Sequence, residues 1–302
     1  MALMESRIAP RALFSLYRSL LRQVQQLPHY YLREFFRIKV GEDIRSILHA
    51  KQTEKVRISK VRRVRQELLR LERANSGRKK SIDHILDLAY GRKGPLKWSM
   101  MKPLLTDPTS PLPPRIISEV ERSRPPQYSP ELAALLSSNF ARAGGKPMKT
   151  PHFERPPTLP PRADPNSDQA RWFGPFSKRR RVNIHWRYFT SQWKSTYPPL
   201  EVSVSACPEG ADGTVPMSQS VNALDIRGVG LQDSGVLQEL HALAGPRSRR
   251  PPIPRRQRQS LSRPDDPTPS SSSPSLAEAP NRFLRRRYRE LLARIPILTY
   301  TP

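Results

Sequence analysis

Apolar residues in the N-terminal third recur at spacings of three and four, the helical rhythm, and strand-like alternation is missing from the first hundred residues. Leu13, Leu16, Leu20, Val24 and Leu27 form one such stripe, which predicts a helix over 10–27. Pro10 suits its first turn and Pro28 ends it. The stretch HYYLREFFRIK predicts a short second helix over 29–39, with Leu32, Phe35 and Phe36 facing one way and Arg33, Arg37 and Lys39 around the polar side. Gly41 is expected to break it. A third helical region runs from Glu42 to about Ala74, carried first by Ile44, Ile47 and Leu48 and then by Ile58, Val61, Val64, Leu68 and Leu71. The rhythm lapses around Lys51 to Lys55, which predicts a bend or break there. Ser81 is expected to cap a fourth helix with Ile82, Ile85, Leu86 and Ala89 inward and Gly91 just past its end.

The rhythm changes after Lys102. Paired prolines (Pro113-Pro114, Pro125-Pro126, Pro156-Pro157, Pro160-Pro161) mark a Pro-rich linker over 106–176, with a helical island from Pro130 to Phe140. A basic-aromatic helical segment over 177–200 carries Val182, Trp186, Phe189 and Trp193 on one stripe. Residues 201–245 are weakly ordered except for a short helix at 233–244, residues 246–280 read as a disordered linker, and 281–302 as a basic C-terminal helix. The fold class expected is all-α: an N-terminal helical domain over 10–105 followed by a Pro/Arg-rich, largely irregular extension with isolated helices.

Composition sharpens this reading. Of 302 residues, 34 are proline, and mean hydropathy is −0.65, so much of the length buries too little apolar surface to offset its ordering entropy. The net charge of +27 points to anionic partners, whether nucleic acid, anionic lipid or acidic protein. A single cysteine, Cys207, rules out an intramolecular disulfide and reads as an inert thiol. No apolar run is long enough for a membrane span. From Met1 to Arg33 the only acid is Glu5, against Arg7, Arg11, Arg18, Arg22 and Arg33, which resembles a mitochondrial targeting segment, here expected to be retained within the fold.

Enzyme signatures are missing. No Gly-rich phosphate loop or nucleophile elbow occurs, and the histidines show neither HxxxH spacing nor clustering, so each reads as a surface or capping residue. No catalytic residue and no metal ligand is expected.

The tripeptide Leu16-Tyr17-Arg18 is the sharpest feature. Alone it reads as two packing residues and a solvated charge. Its context is more specific: an amphipathic helix near the N-terminus, a proline-bounded turn, a second helix with an aromatic pair among arginines (YLREFFR), then a third basic amphipathic helix. This order resembles the LYR-motif (Complex I LYR) family of small mitochondrial helical proteins. The resemblance covers about residues 10–105, and the long extension looks like a fungal-type branch. It implies a non-catalytic mitochondrial matrix adaptor or assembly factor that binds the mitochondrial acyl carrier protein. It further implies no cofactor of its own, but an acyl-phosphopantetheine chain delivered by that carrier into the bundle. Leu16, Tyr17, Arg18, Arg22, Arg33, Arg37 and Lys39 would then meet the acidic carrier and its phosphate. Leu13, Leu20, Phe35, Phe36 and Ile44 would line the acyl-chain tunnel. At roughly 0.8 kcal/mol per buried methylene, a medium-length chain supplies at most about 8 kcal/mol before ordering costs.

The extension is expected to engage a second, unidentified partner in respiratory-complex or ribosome assembly. Cations interleaved with Trp186, Tyr188 and Trp193 also suit RNA, giving a rival reading as a mitoribosome-associated RNA-binding protein in which the tripeptide is incidental. The stripe through Val182, Trp186, Phe189 and Trp193 favours burial over base stacking. The echo YRELL at 288–292 reads as packing, because the helices that give the first tripeptide its meaning do not follow it.

Overall fold

The computed structural model describes residues 10–49, 54–107, 110–144, 146–204, 231–232, 234–245 and 281–300. The expected disordered linker at 246–280, most of the weakly patterned 201–232 stretch, Cys207 and the first nine residues of the import-like segment lie outside these residues. The chain divides into two compact units, Met1–Asp83 with Gln238–Leu292, and His84–Leu237 with Ala293–Pro302.

The first unit is built on α1 (Pro10–Gln25), α2 (Tyr30–Leu48) and α3 (Glu54–Asn75), each packed on the other two. Their buried positions follow from the sequence stripes. Leu13, Leu20, Val24 and Leu27 come from α1 and the turn after it, Leu32, Phe36, Val40, Ile44 and Ile47 from α2, and Val61, Val64, Leu71 and Ala74 from α3. Two boundaries differ from expectation. Helix α2 runs straight through Gly41, so what was read as two elements is one. Glycine costs about 1 kcal/mol in a helix interior, and the buried row Leu32, Phe36, Val40, Ile44 and Ile47 outweighs it. The next helix starts only at Glu54, after the lapse in rhythm. Leu48, expected inside, is exposed.

Helix α3 ends on Gly77, whose φ of +82° lets Arg78 N–H reach the Arg73 carbonyl at 2.9 Å and Gly77 N–H the Ala74 carbonyl at 2.9 Å. Asn75 ties that end to α1, donating to the Gln23 backbone oxygen at 2.9 Å and to its side-chain oxygen at 2.8 Å. Helix α4 (Lys79–Ala89) begins two residues before Ser81, which is buried inside it instead of capping it. The two-unit boundary falls within α4.

In the second unit, α4 ends at Gly91 as expected, with φ +65° and an Arg92 N–H to Asp87 carbonyl bond of 2.7 Å. Short helices α5 (Gly94–Met101), α6 (Pro130–Ser137), α7 (Pro151–Glu154) and α8 (Asp168–Phe173) and the long α9 (Lys178–Ser195) follow. The proline-rich segment is more than a spacer: Leu132, Leu135, Leu136, Ala141 and Met148 pack with Met101, Leu104, Tyr188 and Phe189 in one apolar core. Ser129 fixes the start of α6. Its hydroxyl accepts from Leu132 N–H at 3.2 Å and donates to the Leu104 carbonyl at 2.7 Å. Two short strands, β1 (Val202–Val204) and β2 (Leu298–Tyr300), pair in parallel, Val202 opposite Leu298. Apart from this pair and an isolated bridge between Arg142 and Thr196, the described architecture is helical, a bundle followed by irregular segments with isolated helices.

Helix α10 (Val236–Ala244) bridges the unit boundary in sequence, and α11 (Arg282–Leu292) belongs to the first unit, where Tyr288 and Leu291 are fully buried. The echo of the tripeptide is packing.

Candidate functional site: the outer face of the first helix

Helical periodicity splits the residues around the tripeptide three ways. Leu13 and Leu20 point into the bundle and are closed off from solvent. Leu16 and Tyr17 lie half-buried along the edge. Arg11, Phe14, Ser15, Arg18, Ser19 and Arg22 line a shallow, open depression on the outer face. Arg11, Arg18 and Arg22 are exposed, and among the described residues no acid pairs with them. Phe14 is 48 % exposed beside them, an apolar patch inside a cationic strip. Arg11 and Phe14 were not singled out from the sequence, although their spacing to Arg18 already places them on its face.

On α2, Arg33 and Arg37 lie on the exposed side one turn apart. Arg37 makes only a surface pair with Glu34 at 3.4 Å. Lys39 does not join this set. Its ammonium is held against Glu67 of α3 at 2.5 Å and against Asp43 at 3.0 Å, in a half-buried position. Lys39, expected among the carrier-binding cations, has its positive charge already balanced across the α2–α3 contact.

The residues proposed to line a tunnel are in the bundle interior, with one exception. Leu13, Leu20, Phe36 and Ile44 are 2, 0, 0 and 5 % exposed, while Phe35 is half-buried. Phe35 sits between two rings, stacked on Tyr31 at 6.4 Å and edge-on to Phe36 at 5.2 Å. An aromatic row therefore leads from the bundle edge to its centre. Burial pushes the Tyr31 hydroxyl up to about 12, with Glu239 adding to the effect.

His29 opens α2 and was read as a surface or capping residue. Instead it is buried, makes no side-chain cap bond, and meets Tyr288 edge-on at 5.3 Å. Burial, and then the Arg33 charge, hold its imidazole below the usual histidine range. Beside it, Arg287 of α11 pairs with Glu290 at 2.6 Å and, more loosely, with Asp83 at 3.8 Å. No local signal in the sequence connects residues this far apart.

Among the described residues no group of His, Cys, Asp or Glu could hold a metal ion, and no helix is long and apolar enough to cross a membrane. Compared with known proteins, no curated protein and no solved structure matches the chain. A family model does: residues 16–101 match LYR motif-containing protein 2-like proteins, beginning at the leucine of the tripeptide and ending with α5. With the tripeptide at the edge of α1 and the ordered bundle behind it, the match over residues 16–101 supports an LYR-motif family member.

Proposed function

We propose that the protein is a mitochondrial adaptor or assembly factor whose LYR-type bundle binds the acylated acyl carrier protein. LYR-motif family membership suggests an adaptor or assembly role, and the family is typically mitochondrial and non-catalytic. The observation that carries the finer reading is the division of labour on α1. Arg18 and Arg22 project outward without internal acids, one helix face away from Leu13 and Leu20, so a partner that is anionic outside and apolar at its tip matches both faces.

In this reading Arg18, Arg22 and Arg11 meet the carrier's carboxylates and the phosphate of its prosthetic arm. Guanidinium groups suit both because they donate in a planar fork. Arg33 and Arg37 extend the cationic rim from α2. The acyl chain displaces the half-buried Phe35 and passes Tyr17 toward Phe36, Leu20 and Ile44. Close-packed side chains must then part, so the inserted methylenes replace protein–protein contacts instead of filling empty space, which lowers the gain below the full transfer value. The chain would in turn stabilise the bundle, linking acylation to engagement of a second partner in respiratory-complex or ribosome assembly.

Affinity purification of the tagged protein from mitochondria tests this. Acyl carrier protein is expected among the captured chains, and Arg18→Ala combined with Phe35→Ala is expected to lose it. Capture of the carrier at undiminished level by that variant overturns the assignment of the site.

A further inference from the structure

Trp186, Tyr188 and Trp193 are the aromatics that the sequence offers a nucleic acid, and the structure engages each of them, although Trp186 stays 40 % exposed. Tyr188 is buried, Trp186 donates its indole N–H to the Arg124 carbonyl at 3.1 Å and packs on Phe189, and Trp193 meets Trp98 edge-on at 5.2 Å. The most exposed pair lies one element earlier. At the end of α8, Trp172 and Phe173 are 84 and 71 % exposed, two large rings in consecutive positions, with the Arg162 guanidinium 5.9 Å from the Phe173 ring centroid.

These rings are mounted on a fastened turn. Gly174 ends α8 at φ +71°. Arg162 donates to the Gly174 carbonyl at 2.7 Å and to the Phe173 carbonyl, locking the turn's backbone. The guanidinium groups of Arg162 and Arg180 lie 5.1 and 4.4 Å from the centroid of Phe176, so the turn is also joined to α9 by cation–π contacts. From there α9 presents Lys178, Arg179, Arg180, Arg181 and Arg187 within ten residues that contain no acid. Arg179, Arg180, Arg187, Asn183 and Ser177 border a concavity of about 560 Å³.

We infer that Trp172 and Phe173, with the cationic face of α9, form a binding surface for single-stranded RNA. The cations match a phosphate backbone. Exposed ring faces match unpaired bases, which RNA offers in loops and ends and a duplex hides. Polar groups between the arginines suit ribose and phosphate oxygens. A membrane surface is a poorer match, because α9 buries Tyr188 and Phe189 in the protein core and leaves only Trp172, Phe173 and part of Trp186 to insert, not a continuous apolar helix face. The surface lies outside residues 16–101, so its failure and the failure of the acyl carrier reading are separate results.

The test is fluorescence anisotropy of the full chain with labelled oligouridine across a salt series. Duplex RNA, oligothymidine and phosphatidylcholine vesicles containing phosphatidylserine serve as competitors. Oligouridine is expected to bind more tightly than any of them. Trp172→Ala with Phe173→Ala should weaken binding roughly tenfold for each base stacked. Trp172→Tyr, which keeps a ring, should retain most of the affinity and controls for any loss of structure in the alanine variant. Arg179→Ala and Arg187→Ala should each lower the slope of log K against log salt by about 0.7. Equal binding of duplex, tighter binding of oligothymidine or vesicles, or full affinity in the alanine double variant overturns the inference.

Discussion

His29, at the start of α2, and Tyr288, on the C-terminal helix α11, face each other edge-on at 5.3 Å inside the first unit, both nearly closed off from solvent. The contact makes α11 a structural part of the bundle. Tyr288→Ala is therefore expected to destabilise the protein by about 3–5 kcal/mol, the range for deleting a buried aromatic, read from the midpoint of urea unfolding. A comparable loss is expected for Leu291→Ala, at about 2–5 kcal/mol.

The same contact sets a pH response. Burial and Arg33 hold His29 below its ordinary value of 6.5, so between the folded and unfolded values the unfolded chain binds the extra proton. Stability then rises with pH through that window and is lost as pH falls below about 6.5. His185 shifts in the same direction, so the measurement is a difference. His29→Gln should flatten part of the acid-side decline in unfolding free energy, while the decline assigned to His185 persists.

Lys39 and Arg18 separate structure from binding. Lys39 bridges α2 and α3 through Glu67, and both partners are partly shielded from water. Lys39→Met should lower stability by about 1–3 kcal/mol, less than a fully buried pair would lose, and leave capture of the acyl carrier protein intact. Arg18→Ala, on an exposed side chain, should do the reverse: unfolding midpoint within error of wild type, carrier capture reduced. If Lys39→Met abolished capture at unchanged stability, Lys39 would belong to the binding site after all.

What could be read in advance follows the range of each interaction. Periodicity is local, and it placed Leu13, Leu20, Phe36, Ile44, Val61, Leu71 and Leu86 inside the fold. The left-handed turn at Gly91 is local too. Gly41 misled because its cost of about 1 kcal/mol is local while the burial that overrides it is tertiary. The Lys39–Glu67 pair was out of reach because its partners are 28 residues apart, at positions with no periodic signal. His29 was out of reach for the same reason. Phe14 was legible and passed over: the strip Arg11, Phe14, Arg18 and Arg22 is a helical face that the spacing alone defines.

Three glycines give a graded series. Gly41 is helical, and an added Cβ meets nothing within 4 Å, so Gly41→Ala should stabilise by about 0.5–1 kcal/mol. At Gly77 there is equal room but φ is +82°, so alanine should cost about 1 kcal/mol from backbone strain alone. Gly91 combines both problems: φ is +65° and a Cβ would lie 2.4 Å from the Met100 sulfur. Gly91→Ala should therefore be the worst of the three in a thermal melt. Adding Met100→Ala should remove the clash but leave the strain, and brings its own cost of about 2–5 kcal/mol for truncating a fully buried side chain.

Two cations in the second unit are buried where periodicity predicts none. Arg92, 1 % exposed, donates to the Pro198 carbonyl at 2.7 Å and to the Tyr90 carbonyl at 3.2 Å. Lys97, 6 % exposed, donates to the Lys194 carbonyl at 2.7 Å. Both lie over the Tyr197 ring, at 5.6 and 5.3 Å. The Tyr90 and Lys194 carbonyls lie at helix C-terminal ends, where intrahelical donors run out, and the Pro198 carbonyl lies in a segment without a regular ladder, so these long side chains supply the missing donors. Arg92→Met should cost about 2–5 kcal/mol by orphaning two carbonyls. Lys97 carries a pH signature as well. Burial first, and the Arg92 charge second, push its ammonium down to about 8 from an ordinary 10.5. Between those values the unfolded chain holds a proton that the folded chain has released, so wild-type stability gains with rising pH. Lys97→Met has no such gain, and its deficit relative to wild type should widen from pH 8 to pH 10 in parallel urea titrations. A deficit that stays constant across that range would mean that Lys97 keeps its proton and that solvent reaches its ammonium.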